Sequence, residues 1–173
     1  MLSFRGTSSE GCRMTPREAA KGWLRQARND LVHARWSLQA GHADWACLAA
    51  HHATEKALKG LTLDAGHRPL ATSNPALLAV DLMELGVLDE ADVAGLGNLD
   101  DLAATALRIR DPERADGLGA APDAERADTL ARRAVDLSER VLALVGAIAK
   151  GRGLPLGLEL ATSHVVAGRS ARG

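Results

Sequence analysis

At 173 residues the chain has the length of one domain, and 46% hydrophobic with 25% charged residues is enough to bury a core. Aromatics make up 2%, with no Tyr and one Phe, so that core is built from Ala, Leu and Val, which favour helices over strands. A net charge of −1 excludes a general electrostatic grip on nucleic acid or a membrane surface, two cysteines exclude a disulfide framework or zinc ribbon, and no run of about 18 apolar residues is present to span a membrane.

Residues 1–13 have no sustained hydrophobic period and no apolar stretch of the signal-peptide kind, so they are expected to be a disordered extension of a cytoplasmic protein. The ordered unit is expected over 14–150. Thr15-Pro16-Arg17-Glu18 is a capping box with proline at the first helical position. Ala20, Trp23, Ala27, Leu31, Ala34 and Leu38 then recur every three or four residues until Gly41 stops the run. A second helix is predicted from about Asp44 to Ala65, closed by Gly66. Its stripe of Ala46, Ala50, Ala53, Ala57 and Leu61 is mostly small, which lets a neighbouring helix approach closely.

Pro69 and "ATSNP" break the chain, and Asn74-Pro75 restarts it as a short helix ending near Gly86. Asp89 caps another helix, interrupted by Gly95 and Gly97 and resuming to about Ile109. "RDPERADGLGAAPD" reads as a loop. The closing helix, 124–149, carries Ala127, Leu130, Ala134, Leu137, Val141, Leu144 and Ile148. Residues 151–173 lack a period and are expected to be a disordered tail. Short connections between amphipathic helices predict an all-α, antiparallel up-and-down bundle of four to five helices.

Charge is unevenly spread. From Pro69 to Leu107 there is no Lys or Arg, whereas Asp81, Glu84, Asp89, Glu90, Asp92, Asp100 and Asp101 all fall there. Arg17, Lys21, Arg25, Arg28 and Arg35 line one side of the first helix without an acidic neighbour at i+4. A solvated face explains such a line, and so does a phosphate or acidic partner. Trp36 points nearly opposite the core stripe of that helix, as an interface anchor or as a residue covered by another helix of the bundle.

"AAHHATEKALKGL", residues 49–61, tests whether the chain carries chemistry. His51 and Glu55 are four apart and share a face, but His51 and His52 diverge by about 100° and no third ligand stands at a metal spacing. Neither a metal nor a cofactor is expected, and these residues read as helix-surface polar groups. No serine or cysteine is set beside a base, and "GLGN" does not follow a strand as a phosphate loop would.

The stretch "NDLVHARWSLQAGHADWACLAAHHATEKALKGLTLDAG" resembles the first helical hairpin of the HEPN family, the higher eukaryote and prokaryote nucleotide-binding domains. The resemblance is carried by Asp30-Leu31, Gly41, Trp45 and Thr54-Glu55-Lys56-Ala57-Leu58-Lys59, with His51 and His52 where the family commonly has glutamine. It continues through "NPALLAVDLMELG", where Thr72 precedes in place of a usual histidine, and "RIRDPE", where Arg110-Asp111-Pro112 replaces an Arg-Tyr-Pro. It covers about residues 16–149.

The resemblance implies a nucleotide- or partner-binding module that pairs with a minimal nucleotidyltransferase in toxin–antitoxin-like systems, and a homodimer in which Trp36 is an interface residue. The phosphate-binding candidates are Arg25, Arg28, Lys56, Lys59, Arg108 and Arg110. Nuclease members of the family place an Arg, four to six residues and then a His late in the bundle, where Arg supports a phosphate and His moves a proton. After Arg108 and Arg110 the next histidine is His164, so the late position is empty and the module is expected to be non-catalytic. Histidines of the first two helices are expected to face away from that late segment. The alternative is a metal-independent ribonuclease toxin using Arg28 and His33, which match the spacing on the first helix, or Arg108 and Arg110 with a histidine from a neighbour. A purely structural dimer is the third possibility.

Overall fold

Thr15 opens the first helix, α1 (Pro16–Gln39), in the computed structural model of the chain, which describes residues 14–111 and 124–154. The Thr15 hydroxyl oxygen accepts from the Glu18 backbone N–H at 3.2 Å, and the Thr15 N–H donates to Glu18 Oε2 at 2.7 Å. The second bond, helped by the Thr15 hydroxyl, holds the Glu18 carboxyl below its ordinary pKa. Five further helices follow: α2 (Ala43–Asp64), α3 (Pro75–Glu84), α4 (Glu90–Leu96), α5 (Leu99–Arg110) and α6 (Ala124–Gly151). No strand occurs among the described residues.

The expected fourth helix is two helices. Gly95 stays inside α4, but Gly97 ends it and Asn98 caps α5 by accepting from the Asp101 N–H at 3.1 Å. The described residues therefore hold six helices where the sequence pattern suggests four to five.

Helix α2 is the centre of the bundle, packed by α1, α6, α3 and α5. With neighbours on several sides it buries two stripes. One is the expected Ala46, Ala50, Ala53, Ala57 and Leu61; the other is Cys47, His51, Thr54, Leu58 and Thr62. Thr54 and Thr62 satisfy their hydroxyls on the Ala50 and Leu58 carbonyls of the preceding turn, at 2.9 and 3.1 Å, which makes their burial tolerable. Against this surface α1 lays Ala20, Leu24, Ala27, Leu31 and Ala34. Trp23 sits at the edge of that stripe, with the Lys59 ammonium 5.7 Å from its ring centroid. A Cβ on Gly60 would lie 2.7 Å from Leu24 Cγ, so the closest α1–α2 approach requires glycine there.

Ion pairs fix the three long helices to one another. Lys56 on α2 meets Asp30 on α1 at 2.7 Å, and Arg35 on α1 meets Glu139 on α6 at 2.6 Å. The buried Asp64 carboxylate lies between Arg17 at 3.5 Å and Arg152 at 3.1 Å. The inward arc of α6 is wider than the expected alternation. Ala131, Val135, Leu142, Val145 and Ala149 are buried, while Leu130, Leu144 and Ile148 lie at its margins, because α6 packs on both α1 and α2.

The expected end of the ordered unit at residue 150 is too early. Helix α6 runs to Gly151, Gly153 adopts φ +75, and Leu154 turns back to be 1% exposed. The Leu154 N–H donates to the Ala149 carbonyl at 2.8 Å and the Gly153 N–H to the Lys150 carbonyl at 3.0 Å, a Schellman ending whose glycine supplies the left-handed turn. Residues 1–13 and 155–173 lie outside the described residues, as does the predicted loop over 110–123 apart from Arg110, which ends α5, and Asp111.

Candidate functional site

Helix α5, the connection into α3 and the second stripe of α2 enclose an open-sided cleft of about 410 Å3. Its lining is His51 from α2, Thr72, Ser73 and Asn74 from the connection, and Asp100, Ala103, Ala104, Ala106, Leu107 and Arg110 from α5. The connection is held rigidly. The Asn74 N–H donates to Thr72 Oγ1 at 3.1 Å and Asn74 Oδ1 caps α3 by accepting from the Ala76 N–H at 2.8 Å.

His51 is 4% exposed. Burial pushes its pKa below the ordinary histidine value; Glu55 and a hydrogen bond with the Ser73 backbone pull it back up, and His52 and Arg110 push it down. At neutral pH the ring is uncharged; its one N–H donates to the Ser73 backbone, and the other nitrogen is left to accept. Arg110, in the last turn of α5, is exposed, and no ion pair holds it among the described residues. Its side chain leans toward the N-terminal end of its helix, back along the cleft. The Arg110 guanidinium and the Thr72 hydroxyl are the donors that can meet an anion here, and the free His51 nitrogen can accept from a protonated oxygen of it.

The six phosphate candidates read from the sequence separate. Arg110 alone lines the cleft. Arg108 is exposed and donates to Thr105 Oγ1 at 3.1 Å. Lys56 and Lys59 are half-buried in ion pairs with Asp30 and Glu55, both at 2.7 Å, so they are structural links rather than the expected ligands. Arg25 and Arg28 are exposed on α1, away from the cleft; the other ends of the basic line are occupied, Arg17 by Asp64 and Arg35 by Glu139.

The candidate pair Arg28 and His33 is not brought together. Five residues on one helix place them about 140° apart, and His33 instead stacks edge-on against Trp36, with centroids 5.8 Å apart. Trp36 is 63% exposed, which excludes cover by another described helix of the same chain. Trp45, in the first turn of α2, is equally open at 67%.

His51 overturns two expectations. It is neither a helix-surface group nor turned away from the late segment, because α2 packs on α5 and brings it into the cleft with Arg110. The sequence does contain its signal. Cys47, His51, Thr54, Leu58 and Thr62 form a second helical stripe, offset by about 100° from the alanines, as expected of a helix covered on two sides. Asp100, Ser73 and Asn74 had no such signal. Thr72, where the resembled pattern has histidine, lines the cleft that His51 enters from α2. Among the described residues no three His, Cys, Asp or Glu side chains are grouped as a metal would require, and no helix is long and apolar enough to cross a membrane.

No curated protein matches the chain. The crystal structure of TT1696 from Thermus thermophilus is similar to it at 35% identity and a TM-score of 0.61, over 75% of this chain and 97% of that one. A family model described as HEPN domain matches residues 20–148. That span runs through the α1–α2 hairpin with its Asp30–Lys56 tie, the cleft over α3 and α5, and most of α6, and the chain belongs to the HEPN domain family.

Proposed function

We propose that this HEPN domain holds a nucleotide phosphate in the Arg110–His51 cleft without cleaving it, and serves as the non-catalytic partner of a minimal nucleotidyltransferase in a toxin–antitoxin-like pair. The observation that carries the reading is an arginine with no ion pair among the described residues, set in one cleft with a buried, uncharged histidine. The nucleotidyltransferase partner, the cytoplasmic setting and the homodimer follow from family resemblance and composition, and the exposed Trp36 supports the last of these.

A second reading has a specific observation in its favour. Arg110 and His51, on different helices, recreate an Arg/His pair of the kind that a ribonuclease needs. Phosphodiester cleavage takes a proton from the attacking hydroxyl and gives one to the leaving oxygen, which calls for two proton-handling groups about the phosphorus. The seat has one, and the other titratable group lining the cleft, Asp100, stands at the far end of α5. The binding reading therefore stands ahead.

A single experiment separates the two. The chain is incubated with structured and single-stranded RNA under single-turnover conditions while nucleotide binding is followed by calorimetry. The expected result is binding that is lost in Arg110→Gln, with RNA left intact. Metal-independent cleavage abolished by His51→Gln would establish the ribonuclease reading instead.

A further inference from the structure

The cleft is asymmetric along its length. Arg110 stands in the last turn of α5 and Asp100 in the first, ten residues and about 15 Å apart along the axis. Both side chains lean toward the N-terminus of α5, and the longer arginine reaches further along it, which shortens that gap. Between them α5 presents Ala103, Ala104, Ala106 and the exposed Leu107, an apolar wall against which a ring can lie. Asp100 is exposed and has no hydrogen bond or ion pair among the described residues, so its carboxylate is free to accept.

A ligand that satisfies the whole cleft carries an anion at one end, a flat body in the middle and N–H donors at the other end. Inorganic phosphate is too short to do so. Among nucleobases, guanine puts two adjacent N–H donors, from its ring and its amino group, on one edge to meet both oxygens of a carboxylate. Adenine and cytosine put an amino group beside an acceptor nitrogen, and uracil has one N–H between two carbonyls, so each sets a lone pair against Asp100.

We infer that the cleft takes a guanine mononucleotide, with phosphate on Arg110 and Thr72 beside His51 and the base edge on Asp100. The inference rests on the phosphate seat proposed above and adds the identity of the base. Titration of the full chain with GMP, AMP and CMP tests it, with circular dichroism checking the fold of each variant. GMP is expected to bind roughly ten- to hundredfold more tightly than AMP or CMP, the ratio that hydrogen bonds to a charged acceptor supply. Asp100→Asn should abolish the GMP preference, weakening GMP and strengthening AMP, whose acceptor nitrogen no longer meets a carboxylate, and Arg110→Gln should weaken all three alike. Equal binding of the three, or a GMP preference that survives Asp100→Asn, overturns the base assignment while leaving the seat. No binding by any of them, or indifference to Arg110→Gln, overturns the seat and the base together.

Discussion

Replacing Gly60 by alanine tests how closely α1 approaches α2. A Cβ there would stand 2.7 Å from Leu24 Cγ, 2.9 Å from Leu24 Cδ2 and 3.3 Å from Trp23 Cβ. Carbon pairs settle at about 3.5–4.0 Å, so the overlap with Leu24 approaches an ångström. Leu24 cannot swing clear, since it is 1% exposed and its Cγ is a branch point that moves with the whole side chain. Overpacking of this kind costs roughly 1–3 kcal/mol, against about 1 kcal/mol regained from alanine's better helix propensity. The net runs from about zero to a loss of roughly 2 kcal/mol, or up to about 8 °C in Tm for a domain of this size. Gly22 on α1 is the control: nothing lies within 4 Å of its Cβ, so Gly22→Ala keeps the propensity gain and raises Tm. Calorimetric melting of both variants at one protein concentration gives the answer. A Gly60→Ala protein stabilised as much as Gly22→Ala would refute the close α1–α2 approach.

Three further outcomes follow from the same geometry. His51 has its folded pKa lowered by burial, so the unfolded chain takes up the proton first on acidification. Stability should be level above the ordinary histidine value of 6.5 and fall as pH drops below it; His51→Gln should remove that part of the slope in urea titrations, and an unchanged slope would place the effect elsewhere. Lys56→Ala strands the half-buried Asp30 and should cost about 1–2 kcal/mol, largely recovered in the double variant with Asp30→Asn; additive losses would show that the pair is not coupled. Light scattering at micromolar concentration should give twice 18.1 kDa for the wild type and a lower mass for Trp36→Ala; a monomeric wild type would remove the proposed dimer.

Much of the fold is written locally. Capping boxes, proline at first helical positions and three-four spacing act within one or two turns, so Thr15, Asn74 and Asp89 mark helix starts in the sequence and in the structure alike. The Schellman ending at Gly153 is as local, but the glycine-rich composition that follows hid it. What local pattern does not carry is the number of neighbours each helix acquires. A single alanine stripe on α2 implied one covered side, and on that assumption His51 pointed to solvent and Lys56 and Lys59 were free cations. Packing by α3 and α5 buries the histidine, and the long-range Asp30–Lys56 tie occupies one of the lysines. The cleft joins residues 51, 72–74 and 100–110, which meet only once the chain has folded, so Arg110 was legible by charge and the burial of His51 by the second stripe of α2, while their meeting in one cleft was not.

Whether the phosphate seat lies in the cleft is tested most directly by a heteronuclear NMR titration of the labelled chain with a mononucleotide, following the imidazole signals of all histidines and the guanidinium signals of the arginines. Shifts at His51 and Arg110 should saturate together, with His33, Arg25 and Arg28 unmoved. Saturating shifts on the α1 face, with the His51 ring silent, would contradict the cleft assignment and put the phosphate site on the basic line of the first helix.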